Sequence, residues 1–225
     1  MAEWDEKSHI GRGDGKDGPY RGKTTAQVPH DRYFRRHREQ RRIPRRQLLV
    51  AMPQMLDERF AKSVIYMCAH TEDGAMGLVV NKVMENIDFP DLLDQLGLSP
   101  SPTGDDIRVH FGGPVESGRG FVLHSADYTQ DSTLRVNDQF GLTASVGILE
   151  AIAQGSPTPR HSLLALGYAG WEPGQLDDEV QANAWLQVPP DDAIIFDDAL
   201  DTKWERAVEL LGIDVSFLSG LAGHA

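Results

Sequence analysis

Cysteine is nearly absent from this 225-residue chain: Cys68 stands alone, which rules out an internal disulfide and fits a reducing cytoplasm. No apolar run approaches the ~18 residues of a membrane-spanning helix. The start, MAEWDEKSHIGRGDGKDG, lacks the apolar stretch of a secretory signal. Lysine is scarce too, and beyond residue 62 only Lys82 and Lys203 occur. Several catalytic signatures are missing. His124-Ser125 has no G-x-S-x-G elbow around it. No G-x-G-x-x-G follows a strand, so no dinucleotide fold is indicated. GPYRGKT (18–24) falls one residue short of a phosphate loop and follows no apolar strand. His70, His110, His124 and His161 show no metal-ligand spacing. Cys68 lies within an apolar strand pattern, where a thiol is usually inert. These gaps lead us to expect no catalytic residue, no cofactor and no metal.

Charge is unevenly spread. Residues 1–47 carry 13 Lys/Arg against 7 Asp/Glu, and residues 48–225 carry 9 against 27. A basic leader thus precedes a body with an excess of 18 negative charges. Such a body repels phosphate backbones, so direct nucleic-acid binding is expected only through the arginine-rich segment 32–46. Residues 1–31 lack apolar periodicity and read as disordered. We therefore divide the chain into a disordered basic extension, 1–46, and a domain, 47–225. The extension reads either as a solvated tail or as a basic arm.

From Gln47 onward the pattern is globular. LLVAM (48–52) reads as a strand, and SVIYMCA (63–69) with AMGLVVN (75–81) reads as a hairpin turning at HTEDG. FPDLLDQLGL (89–98) has helical spacing and a stop at Gly97. SPSPTGDD (99–106) is a surface loop. IRVHF (107–111) and GFVLHS (120–125) read as strands joined by a GGPVESGR loop. Residues 138–144 read as a short strand. Ser145 and Gly155 bracket a helix, VGILEAIAQ. SLLALGY (162–168) reads as a strand ending in an AGWEPG turn, followed by a helix from about Gln175 to Ala184. AIIF (193–196) reads as a final buried strand. KWERAVELLG (203–212) reads as a helix burying Trp204, Ala207, Val208 and Leu211. This order favours α+β.

Four blocks, LLVAMPQMLDERFAKSVIYMCAHTEDGAMGLVVNK, HFGGPVESGRGFVLHS, LGYAGWEPGQLDDEVQANAWL and LLGIDVSFLSGLAGHA, together resemble the AlgH/YqgE family of bacterial proteins. The resemblance covers roughly 47–225. It implies a single α+β domain whose bifurcated, mostly antiparallel sheet folds into a pseudo-barrel flanked by helices. It also implies a cytoplasmic bacterial protein linked by family name to transcriptional control.

Ten residues stand out as a ligand or partner surface. Asn81 and Lys82 end a buried strand, where Lys82 is a rare cation suited to an anion or the pair forms an Asn turn with a solvated Lys. Gly112 and Gly113 either free backbone N–H groups for an anion nest or oxyanion hole, to which Pro114 contributes no donor, or form a tight turn between strands. Arg119 is positioned for a bidentate anion contact or a surface pair. Gln175, Glu179 and Asn183 recur at i, i+4 and i+8, the spacing of one helix face, which lines a pocket or faces water. Trp171, like Trp185, flanks that helix as a core or interface residue. Asp197, Asp198 and Asp201 either hold a cation or begin a helix. The first functional expectation is a non-enzymatic regulatory or interaction protein acting through a protein partner or a small ligand, with no membrane association. The alternative is an enzyme acting on a small anionic ligand where Lys82, the Gly112–Gly113 loop and Glu179 converge.

Overall fold

β-branched and aromatic side chains pack well on a pleated surface, and one run of them, VIYMCAHT (64–71), forms an inner strand of the sheet. The computed structural model describes residues 47–99, 101, 107–155 and 157–215. The expected disordered extension, most of the 99–106 loop and the end of the final block lie outside the described residues. β1 (Leu48–Ala51), β2 (Val64–Thr71) and β3 (Gly74–Val79) pair antiparallel in chain order. Thr71 pairs with Gly74, so only Glu72 and Asp73 turn the hairpin.

The ten-residue strand β8 (Ser162–Trp171) is the spine. Along one side it pairs antiparallel with β5 (Val115–Ser125). Its other side is shared. Leu164–Leu166 pair in parallel with β4 (Val109–Phe111), and Ala169–Trp171 pair antiparallel with β3. The sheet therefore forks at Gly167, whose φ is +71°. β7 (Phe140–Thr143) joins β5, and β6 (Leu134–Arg135) joins β7. β9 (Trp185–Val188) closes the opposite edge beside β1. The result is a single α+β domain, a curled, mostly antiparallel half-barrel with helices on its faces.

Helices α1 (Phe89–Gln95) and α2 (Val146–Gln154) bury Phe89, Leu93, Ile148 and Ile152 against Val109, Val122 and Leu164. Asp88 caps α1 by accepting the Asp91 N–H. Gly155 ends α2 in the left-handed conformation, as its sequence indicates. Ser145 occupies the N-cap position of α2, yet its hydroxyl donates to Gln130 Oε1 instead of capping. Helix α3 (Gln175–Gln181) buries Leu176 in a second cluster with Leu49, Ile65, Met67, Trp171 and Trp185. Helix α4 (Asp192–Phe196), a short 3₁₀ turn and α5 (Lys203–Glu209) complete the described fold.

Five local expectations are corrected. AIIF is part of α4 rather than a strand: Asp191 Oδ1 accepts the Ile194 N–H and starts a helical turn. The GGPVESGR loop is mostly strand, because β5 begins at Val115 and absorbs a register shift before Gly120. The AGWEPG turn begins only at Glu172, since Ala169–Trp171 remain paired with β3. The helix expected to reach Ala184 stops at Gln181, and an unforeseen strand, β9, follows it. On α5, Trp204, Ala207 and Val208 are buried, but Leu211 lies beyond the helix and is exposed.

A Cβ added at Gly112 would press into the Gly167 carbonyl oxygen, and one at Gly113 into the Tyr168–Ala169 backbone. At Gly118, nothing lies within 4 Å of such an atom. Urea unfolding is expected to show Gly112→Ala losing at least about 3 kcal/mol or failing to fold, with Gly118→Ala nearly neutral. Equal stability of the two variants would contradict the crossing described here.

Candidate functional site

Asn81 and Lys82 leave β3 and turn towards the connection between β1 and β2. Asn81 Oδ1 accepts the Val64 N–H at 2.7 Å, and its Nδ2 donates to the Lys62 carbonyl at 2.8 Å. Lys82 Nζ donates to the carbonyls of Arg59 at 2.9 Å and Glu58 at 3.3 Å. Partial burial lowers the Lys82 pKa, and Asp57 opposes that shift. The Arg59 guanidinium grips Asp57 through two oxygens and holds its carboxyl below the usual range. Both residues thus work as pegs for the 52–63 segment.

The glycine loop is a backbone crossing. The Gly112 N–H donates to the Leu166 carbonyl at 2.8 Å, and the Gly112 carbonyl accepts from the Val79 N–H at 2.9 Å. Gly113 has a φ of +151° and lies against Tyr168 and Ala169. The Gly112 donor that an anion nest would use is therefore occupied, and Pro114 brings none. Arg119 pairs with Glu116 at 3.5 Å and lies 5.6 Å from the centre of the Phe121 ring. Glu116 sits in the strand's register shift with a φ of +47°. Burial, reinforced by Glu116, raises the pKa of the nearby Tyr168 hydroxyl.

Glu179 is held by three donors. Its Oε2 accepts both indole N–H groups, from Trp171 and Trp185, each at 2.8 Å. Its Oε1 accepts from Gln175 Nε2 at 2.8 Å. The two indoles meet edge to face, with centroids 6.0 Å apart. Asn183 does not share this helix face. It follows the helix with a φ of +56°, its N–H bonded to the Val180 carbonyl and the Ala184 N–H to the Glu179 carbonyl. That double bond is the Schellman closure of a helix.

The structure brings Trp171, Gln175 and Glu179 together, and pairs Asn81 with Lys82 beneath one loop. No hydrogen bond or ion pair links Lys82, Gly113 and Glu179, although the Lys82 carbonyl accepts the Phe111 N–H beside the glycine loop. The three aspartates are not an open cation site either. Asp197 bonds Arg206 at 2.6 Å and faces Lys203 at 3.8 Å, while Asp198 pairs with Arg108. Among the described residues, no three His, Cys, Asp or Glu side chains group as metal ligands. Burial pushes the Cys68 thiol up to about 12, which keeps it protonated and inert.

Lys203 is the group that sequence reasoning missed. It is fully buried, and Nζ donates to the Ile195 carbonyl at 3.0 Å and the Val80 carbonyl at 3.2 Å. It therefore ties the end of β3 to α4 and α5. Burial lowers its pKa to about 8, against the pull of Asp197. Burial, followed by the Lys203 charge, lowers buried His110 on β4 to about 4, so its imidazole stays neutral. Its Nδ1–H donates to the Leu164 carbonyl at 3.2 Å in that tautomer. The available sequence signal was the i, i+4 relation of Lys203 to buried Ala207.

A half-barrel forked at one long strand defines the structural class, and two solved structures share it. One is a Corynebacterium diphtheriae protein, 20% identical, with a TM-score of 0.58 over 77% of this chain and 90% of that one. The other is the solution structure of the AlgH protein from Pseudomonas aeruginosa, 41% identical, with a TM-score of 0.66 over 80% and 95%. The chain belongs to the AlgH-like family, whose model matches residues 48–216. A UPF0301 protein of Rhodospirillum rubrum is 54% identical over 79% of this chain and 92% of its own. One of Beijerinckia indica is 53% identical over 80% and 91%.

Two consequences are measurable. Glu179→Leu strands two indole donors and is expected to cost about 3 kcal/mol or more, while Glu179→Gln retains an acceptor and costs about 1 kcal/mol. Equal losses in urea unfolding would show that the carboxylate is not what the tryptophans need. For Lys203, the folded pKa lies below the unfolded value, so the unfolded chain holds more protons between pH 8 and 10.5. Its contribution to stability is present above that window and is lost as pH falls through 8. Between pH 7 and 9.5, wild type is expected to gain about 2 kcal/mol relative to Lys203→Met. Taking the difference cancels the opposing loss from Cys68 above pH 9. Parallel pH profiles would rule out a shifted lysine.

Proposed function

We propose that this chain is a non-enzymatic regulatory or interaction protein whose acidic body selects basic protein partners. The supporting observation is the fate of its nine cations beyond residue 47. Arg59, Lys62, Arg108, Arg119, Arg135, Arg160, Lys203 and Arg206 each meet a carboxylate of this chain, and Lys82 is taken up by two carbonyls. The same positions carry 27 carboxylates. An anionic ligand or a phosphate backbone therefore meets repulsion with no uncommitted cation in the body to offset it. A cationic protein surface meets the opposite field. Any effect on transcription then runs through such a partner, with direct nucleic-acid contact left to the 32–46 arginines.

We place this activity in the cytoplasm, in keeping with the lone, buried Cys68. Among the described residues, no helix is long and apolar enough to cross a membrane.

Thermal unfolding of the full chain separates this reading from the anionic-ligand enzyme. Phosphate, nucleotides and carboxylate metabolites are expected to leave Tm unchanged, whereas a lysine-rich peptide raises it at low salt and loses the effect as salt increases. An anion that stabilises wild type by roughly 2.7 kcal/mol at a hundredfold excess over Kd, but not Lys82→Ala, would overturn this reading in favour of an anionic-ligand site.

A further inference from the structure

We propose that the 52–62 segment between β1 and β2 is a preorganised docking knob, with Leu56 as its anchor, for a protein surface whose apolar pocket is ringed by lysine or arginine. This rests on the interaction reading above and names the surface that carries it.

The segment has an inside and an outside. Met55 and Phe60 turn inward onto the cluster around α3, with Phe60 edge-on to Trp185 at 5.8 Å. Leu56 turns outward and is 76% exposed, the highest value among the exposed large hydrophobics of the described residues. A single exposed leucine is ordinary on a mobile loop. This one sits on a backbone fixed from several sides. The Met55 N–H bonds the Met52 carbonyl, and the N–H groups of Phe60 and Ala61 both bond the Asp57 carbonyl, each at 2.9 Å. Arg59 closes on Asp57, Asn81 grips Lys62 and Val64, and Lys82 gives its ammonium to the Glu58 and Arg59 carbonyls. An ordered anchor loses little conformational entropy on binding, which is how preorganised surfaces gain affinity.

Charge selects the partner. Arg59 is committed to Asp57, Lys62 pairs with Glu205, and the Lys82 ammonium is taken up by the Glu58 and Arg59 carbonyls, while Glu58 is exposed and the body carries its large carboxylate excess. An apolar pocket with a basic rim complements that combination. A second copy would bring the same negative body, and an anionic bilayer would be repelled.

The test pans the full-length protein against a displayed library of random peptides at low salt, with Leu56→Ser as the counter-target. The side chain is exposed, so the variant is expected to keep the wild-type Tm. The proposal expects enriched peptides that combine Lys/Arg with Leu, Phe or Met, bind at least about tenfold more weakly to Leu56→Ser, and weaken as salt rises. Basic peptides indifferent to Leu56→Ser would overturn the knob and leave the acidic interaction reading standing. Enrichment of acidic or neutral peptides, or of none, would overturn both. If sedimentation shows a wild-type dimer that Leu56→Ser abolishes, the occupant is a second copy and the stated partner is wrong.

Discussion

Everything in the half-barrel follows from one close approach of two backbones. The chain at Gly112–Gly113 crosses β8 at Leu166–Ala169, and side chains at those two positions would collide with the opposing backbone. Because the crossing is tight, β8 can hold β4 on its first half and β3 on its second, while β5 runs along its other side. One strand therefore serves two sub-sheets. The fork turns β3 away from β4, and the segment after β3 keeps pairing with β4 through the Val83–His110 bridge and the Lys82 carbonyl.

A fork exposes backbone acceptors where strands diverge, and Lys203 answers that cost. The Val80 carbonyl, one residue past β3, has a buried ammonium as its donor. The same ammonium reaches the end of α4. Desolvating a lysine is unfavourable, and the Val80 carbonyl on one side with the Ile195 carbonyl and the Asp197 carboxylate at the end of α4 on the other are what make it tolerable. The nearby charges are balanced in turn: Asp197 lies between Lys203 and Arg206, and Asp198 holds Arg108 beside neutral His110. The two lysines beyond residue 62 have thus become internal fasteners.

Much of the fold was legible because local signals agreed with the tertiary outcome. The β2–β3 hairpin carries β-branched strands and a turn cluster, and α2 has its left-handed glycine at the expected residue. Where the reading failed, a short segment had two physical solutions. Ile194 and Ile195 would be buried in a strand or in one helical turn, and the Asp191 cap chose the helix. The glycines of 112–120 suggest a loop, yet a paired strand absorbs them through a register shift. The pairing of β9 with β1 joins residues well over a hundred positions apart, which no local pattern encodes. The candidate residues were visible as unusual types, but their partners were not, because spacing cannot reveal which backbone carbonyl a lysine will meet.

The Trp171 to Trp185 segment shows why a site-like pattern in sequence need not offer itself to a ligand. Residues 171, 175, 179 and 183 are spaced by four, and each has an internal task. Trp171 ends β8 and sends its N–H to Glu179; Gln175 orients the carboxylate from one helical turn away; Asn183 reverses the chain. The reversal brings Trp185 back as the first residue of β9, where its indole meets the same oxygen. One carboxylate oxygen can accept both indoles because it has two lone pairs and carries charge, whereas a hydrocarbon there would leave two donors unpaired. The polar stripe is consumed in closing the sheet edge.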